Sequence, residues 1–473
     1  MKWCFLLNDV PVFSEFLGKL ANEAQEQQDQ CVVLINSKIA EWSKKKYFPP
    51  QATFISKVDW CEEHWDPSLK EPEGLSWKLL FPLFDRPPHW PFDYSSSVAI
   101  LSQLGQFFAH VFQKESPDVI LGEPPTGAFG QLAHHFAKKL HLPIFGLTAS
   151  RVEGKIACYD RFWTDSRYDQ IFEELSEKEI PYQERTFLLE WMKQFLSHRV
   201  VPPYVKNKKI KFGQRELFSH YVKRLKDDGR HLLRYLRERK RWQPYDYESE
   251  LVLRHSLRQP LELERRQIRL HTQQRFFQTP DLNDQFFLFP LHMQPEASTS
   301  LLAMHYSDQV NTVRNIAFCL PFPCKLYVKE HPSAAGTRSD EFYKKLKEIP
   351  HVVLLSPSED ALSLLKSCLG VITLSSTMGM EAAMMGKPTY VLGNVFYSYH
   401  PFCKKIANFD ELKQQMETDR SSSLDATFLE SLNLRFVASY MRNLIPQDVR
   451  EENPTYHQKI MQHLKTRIEA KKP

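Results

Sequence analysis

The sequence predicts an α/β protein made of two Rossmann-like lobes, with a helical insertion between them and a helical tail. Three observations predict it. Short apolar runs alternate with helix-length amphipathic stretches over residues 1–160. The strand signal vanishes over 161–280, and the alternation resumes over 281–400. Strands separated by helices imply parallel sheets with right-handed crossovers, and 473 residues suffice for two to three domains.

In the first lobe, KWCFLL reads as a strand, residues 13–28 as a helix and CVVLINS (31–37) as a second strand. Residues 41–95, rich in proline and tryptophan, read as an elaborated loop region with one strand, TFISKV. A helix behind a serine cap (95–115), the strand DVILGE (118–123), a helix (127–141) and the strand LPIFGL (142–147) follow. The insertion, 161–280, is charged and amphipathic, with LELERRQIRLHTQQRFF (261–277) as its last long helix. The second lobe runs through five strands: QFFLFPLH, KLYVKEHP, HVVLLS, GVITLSS and PTYVLG. Residues 401–473 read as C-terminal helices, one of them folding back on the first lobe.

Composition narrows the class. A hydrophobic share of 42% and a charged share of 25% are those of a soluble globular chain. Eight cysteines form no C-x-x-C pair and sit mostly in apolar runs, as free buried thiols do. The apolar run at the start is too short for a signal peptide, and no run reaches the length of a membrane span. The expectation is a cytoplasmic protein. Net charge is only +5, yet 206–241 is strongly basic. That stretch reads as a solvated helical face or as a peripheral contact with the anionic inner face of a membrane. Zinc-finger spacing and RNP-type aromatics are missing from the sequence, so nucleic acid is not an expected partner.

Ligands of parallel sheets bind beyond the carboxyl ends of the strands. That rule selects Glu123 in the first lobe, and His292, Gln294 and Glu296 after the first strand of the second. It also selects Lys329, Glu330 and His331, then Ser375, Ser376 and Thr377, then Asn394 and Tyr397. The stretch LSSTMGMEAAMMGKP (374–388) places hydroxyls and Gly379 before a helix whose first amides and dipole attract anions. It reads either as a phosphate site or as a well-capped helix. Pro332 holds His331 in extended geometry, where its imidazole could stabilise a departing phosphate. Lys329 would add charge, Gly379 would admit a ligand close to the backbone, and Glu381, expected in the first helical turn, would accept ribose hydroxyls. Glu123, Glu296 and Asp160 are candidate catalytic carboxylates, with Arg151 near Asp160. G-x-x-x-x-G-K-[ST] and G-x-G-x-x-G are missing, which disfavours P-loop and dinucleotide chemistry. No metal is required.

The segments FPLHMQPEASTS, LYVKEHP and VITLSSTMGMEAAMMGKPTYVLGNVFY resemble, in order and spacing, bacterial capsule and surface polysaccharide biosynthesis proteins. The resemblance covers roughly 285–400 and implies the two-lobed B-type glycosyltransferase fold with a cleft between lobes. In capsule transferases of 3-deoxy-manno-octulosonic acid, a His-Pro pair and a Ser/Thr turn contact the CMP of the donor. Their counterparts here are His331-Pro332 and Ser375 to Thr377. The resemblance thus implies transfer of a sugar from a nucleotide-activated, CMP-linked donor to a polysaccharide or glycolipid acceptor, without a cofactor. A nucleotide-sugar 2-epimerase and a non-catalytic binding protein of a surface-glycan complex are the alternatives.

Overall fold

The computed structural model describes residues 1–8, 11–69, 93–197, 244–419, 425–446 and 453–470, with isolated positions between them. Most of the basic stretch 206–241 lies outside the described residues. The chain forms two compact units. One comprises 1–163, 209–260 and 444–473; the other comprises 164–208 and 261–443.

The first unit carries a six-stranded sheet: β1 (Lys2–Leu7), β2 (Gln30–Ile35), β3 (Thr53–Ser56), β4 (Val119–Gly122), β5 (Ile144–Ala149) and β6 (Ile156–Tyr159). The spatial order is β3-β2-β1-β4-β5-β6, parallel except for β6, which runs antiparallel to β5. This is the Rossmann order, with its reversal between β1 and β4. The run WCFLL is apolar throughout because both sheet faces are covered. Trp3, Phe5 and Leu7 pack with Leu17 and Leu20 of the helix Pro11–Glu26 and with Ile460, Met461 and Leu464 of the helix Tyr456–Glu469. Cys4 and Leu6 face Leu104, Phe108 and Leu132 of the helices Tyr94–Glu115 and Ala128–Lys139. The C-terminal helix therefore completes the first core, as the sequence suggests. It is reached through a backbone bridge between Ile156 and Ile445.

The second unit repeats the plan with β7 (Phe286–Pro290), β8 (Lys325–Lys329), β9 (Val352–Leu355), β10 (Gly370–Thr373), β11 (Thr389–Val391) and β12 (Cys403–Lys405). The order β12-β11-β10-β7-β8-β9 is again the Rossmann order, parallel throughout, with the reversal between β7 and β10. Phe287, Phe289, Leu326 and Ile372 fill one face of this sheet; Phe286, Leu288, Tyr327 and Val371 fill the other.

Two Rossmann-like α/β units are what the alternating pattern leads one to expect. The sequence reading misses one edge strand in each sheet. β6 is antiparallel and only four residues long, and β12 is the tripeptide CKK, with no apolar run to mark it. β12 also lies beyond residue 400, where the second lobe was expected to end. The segments after it divide: the helix Ala426–Arg442 belongs to the second unit and Tyr456–Glu469 to the first.

Candidate functional site

The carboxyl ends of β10, β7 and β8 lie side by side in the second sheet. Each ends in polar residues. After β7, His292 is buried, and its Nε2 accepts a hydrogen bond from the Ser375 amide at 3.0 Å, across the point where strand order reverses. That bond fixes the tautomer, because an accepting Nε2 leaves the proton on Nδ1. Burial, with His331 and Arg338 nearby, pushes the His292 pKa down to about 3, so the ring is neutral. Its backbone is held as firmly. Gln309 Oε1 accepts from the His292 amide at 2.7 Å, and Gln309 Nε2 donates to the His292 carbonyl at 3.0 Å.

The hydroxyl turn after β10 uses most of its groups internally. Ser375 Oγ donates to the Ser298 carbonyl at 3.0 Å. The Ser376 amide donates to Thr373 Oγ1 at 2.9 Å, and Ser376 Oγ accepts from Met378 N at 3.2 Å as the N-cap of the helix Thr377–Met384. Tyr397, itself buried, donates its phenol to the Ser376 carbonyl. Thr377 differs. Half-buried at the first helical position, it has neither amide nor hydroxyl bonded among the described residues. Of the three residues in this turn, it is the one whose amide and hydroxyl are both left available among the described residues.

Two roles expected from sequence are corrected here. Gly379 does not open the backbone to a ligand: a Cβ there would stand 2.6 Å from the Tyr397 hydroxyl and 3.0 Å from Thr373 Cγ2, so the space is taken by the chain itself. Glu381 is not in the first turn. The helix starts at Thr377, making Glu381 its fifth residue, beyond the end where the dipole favours a carboxylate.

After β8 the three predicted residues part company. His331 caps the short 3-10 turn Pro332–Ala334, its Nδ1 accepting from Ser333 N at 3.1 Å. In the neutral ring this places the proton on Nε2, a donor. Glu330 is fully buried, and its carboxylate accepts from the His331 amide at 2.6 Å, Arg338 Nε at 2.9 Å and the Tyr343 phenol at 2.7 Å. It anchors the loop rather than facing a ligand. Lys329 is buried, and its Nζ donates to the Pro357 carbonyl at 2.9 Å. Burial lowers its pKa against the pull of Glu359, Glu330 and Asp360. Glu296 stands exposed after the cis Gln294-Pro295 bond, accepting from Ser298 Oγ at 2.9 Å. Ser298 and Ser375 thus join the Glu296 loop to the hydroxyl turn. Asn394 is exposed and accepts from Lys405.

The first unit has a parallel arrangement. Asn8 follows β1 and Glu123 follows β4, and Asn8 Nδ2 donates to Glu123 Oε2 at 2.7 Å across that sheet's reversal point. Glu123 lines a recess with Pro125, Gly130, His134 and Arg161. His134 has its Nε2 buried without a hydrogen-bond partner; burial lowers its pKa, and Asp160 acts in the opposite direction. The structure therefore brings the two first-lobe carboxylates, Glu123 and Asp160, to one neighbourhood through His134. Sequence reasoning misses His134, which sits in an ordinary amphipathic run, and Gln309 and Arg338, which act on backbone groups far along the chain. Among the described residues no cluster of His, Cys, Asp or Glu could hold a metal ion.

Two Rossmann-ordered sheets, each with a side-chain bond across its switch point, define a two-lobed α/β protein with a polar rim on the second sheet. Residues 210–434, just under half of the chain, match the family model described as capsule polysaccharide biosynthesis protein. Among solved structures, the beta Kdo 2,4 transferase of KpsC from Thermosulfurimonas dismutans aligns with 14% identity over 69% of this chain and 85% of its own, TM-score 0.36. The beta Kdo 2,7 transferase of the same protein aligns with 13% identity over 70% and 79%, TM-score 0.31. The S. aureus MnaA–UDP co-structure aligns with 11% identity over 100% and 98%, TM-score 0.30. Similarity at this level carries no argument about activity. No curated protein matches the chain in sequence.

Proposed function

We propose that this protein is a glycosyltransferase that moves a sugar from a nucleotide-activated donor onto a capsular or surface polysaccharide. The observation that supports it most is the assembly at one switch point of neutral His292, the His331 turn and the hydroxyl turn 375–377. A switch point with a helix N-terminus is where parallel sheets take phosphate-bearing ligands. In this reading the Thr377 amide and hydroxyl hold a donor phosphate oxygen. His331 Nε2–H donates to the phosphate as it departs, stabilising charge that grows in the transition state. His292 touches no ligand: it fixes the Ser375 amide and so the path of the turn. In the first unit Glu123, oriented by Asn8, is the candidate base that takes the acceptor hydroxyl proton, with Asp160 acting through His134. The family match supports a place in capsule synthesis.

Calorimetric titration with CMP, CDP, UDP, GDP and ADP tests the reading on the wild type and on Thr377→Val. Selective binding of one nucleotide, weakened about tenfold by the loss of one hydroxyl, is the expected result. CMP would point to an acidic-sugar donor, and UDP to a hexose donor or to epimerase chemistry. If all five fail to bind, the turn is a helix cap and the proposal falls.

A further inference from the structure

The opposite edge of the second sheet, where the strands begin, carries a second surface. Four exposed apolar side chains lie there: Phe322 at 92% exposure, Phe318 at 69%, Leu282 at 43% and Leu369 at 37%. Three come from the loops entering three neighbouring strands, and Phe318 from the last turn of the helix Gln309–Cys319 that leads to one of them. Leu282 precedes β7, Phe318 and Phe322 precede β8, and Leu369 precedes β10. Backbone bonds tie these loops together: Leu369 N donates to the Phe286 carbonyl at 2.8 Å, and Lys325 N to the Gln285 carbonyl at 2.9 Å. A phenylalanine as open as Phe322 is costly in water and unusual outside an interaction surface.

The same edge is basic. A helix that links parallel strands runs back against them, so its C-terminus returns to the edge where strands begin. The helix Asp340–Lys347 therefore brings Lys344, Lys345 and Lys347 to this edge, and the helix Ala361–Ser367 brings Lys366; all four are exposed. Half-buried Lys387 enters β11. Acidic groups are fewer. Asp284 is paired with Lys325 at 2.7 Å, Glu341 with Lys345 at 3.6 Å, and Asp410 and Lys413 lie together near Cys319; Asp281 and Glu348 remain.

We infer that this edge of the second unit is a docking surface for an anionic lipid bilayer, with Phe322 and Phe318 entering the interface and the lysines meeting headgroup phosphates. Exposed aromatics ringed by lysine are the composition that binds such surfaces. A second copy of the chain fits less well. Phe318 and Phe322 offer at most about 200 Å² each and both leucines are more than half covered, so the four side chains present well under the ~800 Å² per partner of a stable protein interface.

Co-sedimentation of the full chain with phosphatidylcholine–phosphatidylglycerol vesicles tests this, with Phe318→Glu/Phe322→Glu and Lys344→Glu/Lys345→Glu/Lys347→Glu as variants. Both variants alter exposed positions, and circular dichroism confirms that they fold. The wild type is expected to bind the mixed vesicles and not pure phosphatidylcholine, and each variant to lose roughly tenfold in partitioning. Binding that both variants retain would overturn the inference, since the basic stretch 206–241 is intact in them. So would absence of vesicle binding together with self-association, seen by light scattering, that the phenylalanine variant abolishes.

Discussion

The ring of His292 and the amide of Ser375 are joined at 3.0 Å across the switch point of the second sheet, and Asn8 and Glu123 are joined at 2.7 Å at the corresponding place in the first. In each sheet the bond links the first strand to the fourth, the pair between which strand order reverses. The His292–Ser375 pairing needs a neutral imidazole, and this has consequences for stability.

His292 in the folded chain has a pKa near 3, well below the ordinary value of 6.5. The unfolded chain therefore binds a proton that the folded one refuses between those values. Stability due to this group is fully present above about pH 6.5 and is lost as pH falls toward 3, with a slope of at most about 1.4 kcal/mol per unit. His400, lowered to about 4 by burial, adds a slope of the same sign. Urea unfolding at a series of pH values should show a shallower acid slope in His292→Phe than in the wild type. At neutral pH that variant should lose about 1–3 kcal/mol, because the Ser375 amide is left without an acceptor.

Thr377→Val and Ser376→Ala should separate binding from capping. Ser376 caps the helix, so its loss should cost about 1 kcal/mol of stability. The Thr377 hydroxyl bonds to nothing among the described residues, so its replacement should leave the melting temperature nearly unchanged while weakening nucleotide binding. Equal effects of the two variants on melting and on binding would contradict the division of labour drawn above.

Gly379→Ala should destabilise by about 1–3 kcal/mol, since the added methyl meets the Tyr397 hydroxyl and Thr373. Tyr397→Phe removes the closest of those atoms. In a double-mutant cycle by chemical denaturation, the second substitution should relieve part of the first. Additive losses would mean that the clash lies elsewhere.

Arg338→Met should cost about 3–5 kcal/mol, because it strands the fully buried Glu330 carboxylate with only the Tyr343 phenol and one amide. Glu330→Gln in the same background should recover much of that loss. Differential scanning calorimetry of the three variants gives the comparison.

Glu123→Gln keeps an oxygen for Asn8 but cannot take a proton. Transfer should fall by at least about a hundredfold while the melting temperature holds. A matching loss of both would make Glu123 a structural partner of Asn8 and would leave the base to be sought at Asp160 or Glu296.

By itself the sequence determined the two parallel sheets, because strands buried on both faces must be apolar along their whole length, as WCFLL and FFLF are. It also marked which strand ends are polar, the places where a ligand, a cap, an anchor or solvent can meet such residues. Local pattern could not tell these apart. The tertiary structure decided that Glu330 is an anchor because Arg338, eight residues on, folds back to pair with it, and that Lys329 serves the Pro357 carbonyl. It likewise showed Gly379 making room for Tyr397 and left Thr377 as the hydroxyl with donors to offer. Hydrogen bonds between positions such as His292 and Ser375, 83 residues apart, depend on where separate strands end in space. No periodicity along the chain encodes that.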